Sequence, residues 1–174
     1  MALSKIDAAN FLTGTIPSGN IATSSLAAAA TGKVLQVVQG TATTTMLTTS
    51  TTYADTNLTA NITPSSTSSK IYVTVNQNVT LDDTTDDRVG GALRLLRDST
   101  VIYGGDQAYE MFFENNSGLA TQNFITVNRN YLDSPSSTSE LTYKTQGRIY
   151  QSGDQLQFNG GNIEATITLM EIAG

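Results

Sequence analysis

The sequence predicts an all-β domain: an antiparallel β-sandwich or jelly-roll-like head, preceded by a short N-terminal extended or helical docking segment. Three observations carry this. Ser and Thr make up about a quarter of the 174 residues; Thr suits the pleated surface of a strand and Ser suits turns. Apolar residues return at every second position, as in Ile71, Val73 and Val75 or Ile163, Ala165, Ile167 and Leu169, which places them on one face of a strand. About ten short strand-like runs follow one another with turn residues between them, the spacing of a sandwich or jelly roll. A disordered Ser/Thr-rich stalk is the rival, and the regular return of Ile, Val and Leu argues against it.

Residues 1–31 differ from the rest. Ala2 to Leu12 can form a short helix with Ser4 as N-cap and Ile6, Ala9 and Leu12 on one side. The next stretch, Leu12 to Ile21, carries Gly14, Pro17 and Gly19 and breaks any continuous helix. Two readings stand: a flexible tail, or a docking and trimerisation segment that uses Ile6, Phe11, Leu12 and Ile16. The division is therefore 1–31 as docking segment and 32–174 as β-sandwich head.

Strands are expected at about 33–39, 43–49, 56–62, 70–79, 91–97, 100–104, 107–114, 121–131, 141–150, 155–158 and 162–172. Asp98-Ser99 reads as a tight hairpin turn. Further turns are expected at Gln151 to Asp154 and at Asn159 to Asn162. Thr63 to Ser68 echoes Ser134 to Ser139, and in each a Pro ends a strand and opens a polar loop.

Composition excludes several chemistries. The net charge is −6 and the pI about 4.4, with the nine basic residues scattered. Nucleic-acid binders cluster Lys and Arg against phosphates, so no nucleic acid is expected as partner. The chain has no Cys and no His, which removes disulfides, thiol nucleophiles, Cys/His zinc sites and the usual proton-transfer side chain near neutral pH. No secretory leader is visible, and Leu26 to Ala30 is too short to span a bilayer. The expectation is synthesis and assembly in the cytoplasm of the producing cell, without membrane insertion.

The densest charge cluster is Asp82, Asp83, Asp86 and Asp87. It reads either as a solvated acidic loop or as a calcium site, the only cofactor entertained; its spacing is not that of an EF-hand. Tyr103, Tyr109, Phe112 and Phe113 lie near Asp106, Gln107, Glu110, Asn115 and Asn116. Flat rings beside amides and carboxylates suit sugar hydroxyls and sugar faces; the plainer reading is that Phe112 or Phe113 plugs the core. Arg94, Arg97, Arg129 and Arg148 fall in strands, either on the wet face with their stems on apolar neighbours or in ion pairs across subunits. Glycosidase chemistry needs two carboxylates at a set separation. Glu110, Glu114, Glu140, Glu164 and Glu171 are available, but polysaccharide-cleaving spikes are long stacked-β proteins. No Gly-x-Ser-x-Gly elbow or phosphate loop occurs. The expectation is no enzyme.

Six stretches then resemble the C-terminal domain of small bacteriophage tail-fibre-like proteins, from phages of aquatic bacteria including cyanobacteria. They are Gly32 to Val38, Ile62 to Ile71, Gly91 to Arg97, Leu132 to Pro135, Thr142 to Lys144 and Thr166 to Ile172, spanning roughly 32–172. Leu12 to Pro17 is also similar to the short repeats of slender trimeric fibre shafts. The resemblance implies a homotrimeric virion protein, docked to other virion proteins, that contacts host surface glycans through loops. Tyr103, Asp106, Gln107, Tyr109, Asn115 and Asn116 are the receptor-contact candidates. The alternative within the same resemblance is a capsid decoration protein stabilising the phage head. A cellular lectin-like module is a third class.

Overall fold

The computed structural model describes residues 33–83, 88–104, 110–114, 121–151 and 155–174. Among them are eleven strands: β1 (Val34–Ala42), β2 (Met46–Thr48), β3 (Ala54–Ile62), β4 (Lys70–Asp83), β5 (Arg88–Arg97), β6 (Thr100–Tyr103), β7 (Met111–Glu114), β8 (Thr121–Asp133), β9 (Leu141–Ile149), β10 (Gln155–Phe158) and β11 (Ala165–Ile172). A 3-10 turn at Gly160–Asn162 joins the last two. The strands build two antiparallel sheets packed as a sandwich.

The register shows a jelly roll. β8 pairs with the whole length of one edge of β4, while β10 and β11 share the other edge end to end, at Val79–Asp82 and Lys70–Asn76. β1 then flanks β11, and β2 flanks β10. In the second sheet β6 and β7 share one edge of β5, and β9 lies between β5 and β3. Taking β1/β2, β6/β7 and β10/β11 as three interrupted strands leaves eight strand positions, ordered 1-8-3-6 in the first sheet and 2-7-4-5 in the second. That is the order of two interleaved Greek keys.

The period-2 pattern holds except at Ile163, which lies before β11 and is exposed because the 3-10 turn at Gly160–Asn162 delays the strand to Ala165. Ile71, Val73, Val75, Val79 and Leu81 of β4 face inward, as do Ala165, Ile167 and Leu169 of β11. They form two apolar clusters, one around Leu58, Ile71, Tyr143, Ile167 and Leu169, the other around Leu81, Leu93, Ile149, Leu156 and Phe158. Gly147 makes room for the second: a Cβ there would collide with the Phe158 ring. Between the clusters sits Gln77, fully buried on the same face of β4. Its amide donates to Asn159 Oδ1 at 3.3 Å and its carbonyl accepts from Thr145 Oγ1 at 2.9 Å, while Asn159 Nδ2 donates to the Thr56 and Thr44 carbonyls at 3.0 and 3.2 Å. Buried polar groups are tolerated when partnered in this way.

Two further networks close one end of the sandwich. Gln36, Glu171, Ile71 and Asp133 form one inward cross-strand row through β1, β11, β4 and β8. Glu171 accepts from Ser65 N at 2.7 Å, Ser65 Oγ at 2.6 Å and Gln36 Nε2 at 2.6 Å, so the loop after β3 is latched onto β11. Asp133 accepts from Arg97 Nη1 and from the buried Tyr143 hydroxyl, both at 2.7 Å. Burial and the neighbouring Asp133 carboxylate together hold the Tyr143 phenol far above its ordinary value. Both Pro-containing loops lie at this end, as does Lys33, whose carbonyl accepts from Ala173 N. The strand ends flanking 84–87, 115–120 and 152–154 gather at the opposite end.

Two expectations are corrected here. Asp82 and Asp83 are not in a connection: β4 continues through both, because β8 keeps pairing with it as far as Thr121. Arg97 and Arg129 are not on a wet sheet face: they turn toward Asp133 and Glu110 of the same chain, at 2.7 and 3.0 Å. Residues 1–31, with Ile6, Phe11, Leu12 and Ile16, lie outside the described residues, as does the turn at 152–154.

Candidate functional site

Three surfaces carry the side chains that chemistry would use. The first is the seam where the edge of the second sheet, β6 and β7, faces the edge strand β8 of the first. Tyr103, at the end of β6, is 41% exposed and packs against Tyr131 of β8 with ring centroids 5.7 Å apart and planes tilted by 42°. Below them Glu110 fills the gap between β6 and β7. Its carboxylate accepts the Leu93 backbone N–H at 3.1 Å and pairs with Arg129 Nη2 at 3.0 Å. The ion pair ties the two sheets at their open side, and a strand donor that neither β6 nor β7 reaches finds its partner. Gly104, at φ 75, allows the chain to turn over this carboxylate.

Of the receptor-contact candidates, the structure places Tyr103 at this seam; Asp106, Gln107, Tyr109, Asn115 and Asn116 lie outside the described residues. Phe113 packs partly into the second apolar cluster, as the plainer reading has it, while Phe112 points outward and is exposed. For the calcium candidates, Asp82 accepts from Gln122 Nε2 at 3.0 Å on the outer sheet surface, the Asp83 backbone pairs with Thr121, and Asp86 and Asp87 lie outside the described residues. No group of three His, Cys, Asp or Glu among the described residues is gathered to hold a metal ion.

The second surface is the outer face of the β3–β9–β5 sheet, which is charged. The guanidinium carbons of Arg94 and Arg148 lie 4.0 and 4.7 Å from the Tyr53 ring centre, within cation–π range. Arg94 also donates to Gln146 Oε1, and Gln146 and Lys144 both bond Asp55, at 2.6 and 2.8 Å. Arg94 and Arg148 thus take the wet-face role with their stems along a ring. A depression of about 440 Å³ opens beside Asp55 and Lys144, where β3 bulges at Asn57 (φ 67).

The third surface is the outer face of the other sheet, where Phe124 is not among the candidates named from sequence. Phe124 of β8 is 68% exposed there and stands with Ile163 at the rim of a groove of about 230 Å³ floored by Asn78, Thr80 and Thr126. The signal was present: Ile125 and Val127 set the inward phase of β8, which puts Phe124 on the outward phase with Gln122, Thr126 and Asn128.

No protein-family model matches this chain, and no curated protein matches it in sequence. Among solved structures it is similar to that of the infectious bursal disease virus Gx strain (16% identity, TM-score 0.37, 80% of this chain and 37% of that one). It is similar to the infectious bursal disease virus VP2 subviral particle (12%, 0.36, 80% and 38%) and to dimeric latent PorU from Porphyromonas gingivalis (11%, 0.34, 83% and 14%). The chain therefore spans well under half of the viral chains and a small part of PorU. These are likenesses of strand arrangement alone and carry no argument about activity.

Proposed function

We propose that the chain is a non-enzymatic phage virion protein, a short homotrimeric tail fibre or adhesin whose β head contacts the host surface. One observation carries the reading. All six stretches that resemble the tail-fibre-like domain contribute a residue to the two networks at one end of the sandwich. Gln36, Ser65 and Glu171 come from the first, second and sixth; Arg97, Asp133 and Tyr143 come from the third, fourth and fifth. The residues behind the resemblance hold the end at which the head joins residues 1–32, which leaves the outer sheet faces and the opposite end, where the strands flanking 84–87, 115–120 and 152–154 gather, to face a receptor.

The mechanism is weak contact repeated. Single glycan contacts are poor, and three heads on each fibre with several fibres on a particle raise the effective affinity by orders of magnitude. No proton transfer or nucleophile is required, in keeping with a chain that has no His or Cys. In phage particles carrying a chain without residues 1–31, the head is expected to fold and remain soluble while disappearing from purified virions. Retention of the truncated chain at full occupancy would show that residues 1–31 are not the docking segment.

A further inference from the structure

The outer face of the β1–β11–β4–β8 sheet has a charge distribution unlike the rest of the molecule. Among the described residues, no outward strand position between Lys70 at one end of β4 and Asp82 at the other carries a charge, in a chain whose net charge is −6; the exposed Glu164, just before β11, stands beside the face, its carbonyl accepting from Asn78 Nδ2 at 3.1 Å. The opposite face of the sandwich carries Asp55, Lys144, Arg94 and Arg148. In place of charge, this face presents rows of amides and hydroxyls. Asn76 lies directly beside Asn128, and Thr74 beside Asn130, all four on the outer side. Rings stand at its two ends: Phe124 at one, and at the other the exposed Tyr72 in a cross-strand row with Leu132 and Val37.

From this we infer that the face binds a neutral polysaccharide lying along the strand direction, with Phe124 as the main stacking platform. The inference rests on the adhesin reading above and names its ligand class and surface. Phe124 and Leu132 are eight residues apart on β8, about 27 Å, which spans several sugar rings. An amide offers both a donor and an acceptor to vicinal hydroxyls, and aromatic rings present a flat apolar face to the C–H face of a sugar. The groove beside Phe124 holds one ring: its volume, about 230 Å³, lies below the roughly 300–1,000 Å³ of pockets for drug-sized ligands. Gly160 keeps it open, since a Cβ there would stand 3.0 Å from Thr80 Oγ1. Among the described residues no basic side chain stands on this face beyond Lys70 at its end, which selects against acidic chains, as does the net negative charge. A second copy of the chain is the competing occupant. The separation of the apolar residues to the two ends, with amides and hydroxyls between, is against it, because stable subunit interfaces are apolar at their centre.

The test is an array of neutral and acidic oligosaccharides of at least four sugars, probed with the full chain and with its Phe124→Ala and Asn128→Ala variants. Both side chains are exposed, so each variant should unfold at the wild-type temperature, which is checked first. The expected result is binding to neutral oligosaccharides, weakened about tenfold or more by Phe124→Ala and less by Asn128→Ala, with an unchanged sedimentation coefficient. Neutral or acidic glycan binding that survives both substitutions overturns this face and leaves the adhesin reading standing. No glycan binding at all overturns both. Dissociation of an oligomer by Phe124→Ala assigns the face to a second copy instead.

Discussion

Replacing Asn159 with alanine is expected to lower the stability of the head by about 3–5 kcal/mol. Asn159 is fully buried and sits at φ 58, a left-handed conformation. Asparagine accepts that conformation, whereas alanine does so at a cost of about 1–2 kcal/mol. The side chain also answers three groups at the centre of the sandwich: the Gln77 amide and the carbonyls of Thr56 and Thr44. Truncation leaves them buried without partners, at about 1–3 kcal/mol for each that water cannot reach. Urea unfolding of the wild type and of Asn159→Ala checks this. Asn159→Gly, which removes the partners but suits the backbone, should recover about 1–2 kcal/mol of the loss. A loss below about 1 kcal/mol for the alanine variant would contradict the part given to the Asn159 side chain in the polar network between the two apolar clusters.

The second large effect belongs to Glu171, and it is pH-dependent. Burial alone would raise its carboxyl above the ordinary 4.5, but the hydrogen bonds from Ser65 and Gln36 outweigh burial and hold it at about 2. The folded state therefore favours the ionised form relative to the unfolded chain. The stabilisation is fully present above the unfolded value near 4.5 and is lost as pH falls from there through about 2. At neutral pH, Glu171→Gln is expected to reduce stability by about 2–3 kcal/mol, since hydrogen bonds to a charged acceptor are the stronger ones. The difference between wild type and variant should then shrink as pH falls from 4.5 toward 2. Parallel curves across that window would contradict the latch between β11 and the loop after β3.

Much of the fold was legible because one physical signal dominates it. Alternation at Ile71, Val73 and Val75 and at Ala165, Ile167 and Leu169 is satisfied by strands with one buried face, and each of the eleven strands among the described residues overlaps an expected one, although β1 and β4 run on past their expected ends and β11 starts later. Three features were not legible. Gln77 lies between Val75 and Val79 on the buried face of β4, and nothing in its neighbours says that its partners come from residues 145 and 159. Asn159 was read correctly as a turn residue, but a turn folded into the centre of a sandwich is a tertiary fact. Arg97 and Arg129 were placed outside because strand Arg usually is; distant carboxylates at Asp133 and Glu110 bring them in. For the site, the aromatic cluster around residues 103–113 contributes Tyr103 at the seam, while Phe124, a lone Phe in a polar stretch, is not legible as a surface ring until its phase is compared with Ile125 and Val127.

The proposed place on a phage particle is what tests the account most directly. Intact virions labelled with gold-conjugated antibody against residues 32–174 should carry gold at the tail end, in a number consistent with a few trimeric fibres. Gold spread over the head would contradict the adhesin and make the chain a decoration protein of the capsid. Particles from cells that express the chain, yet carry no gold anywhere, would remove the virion reading altogether.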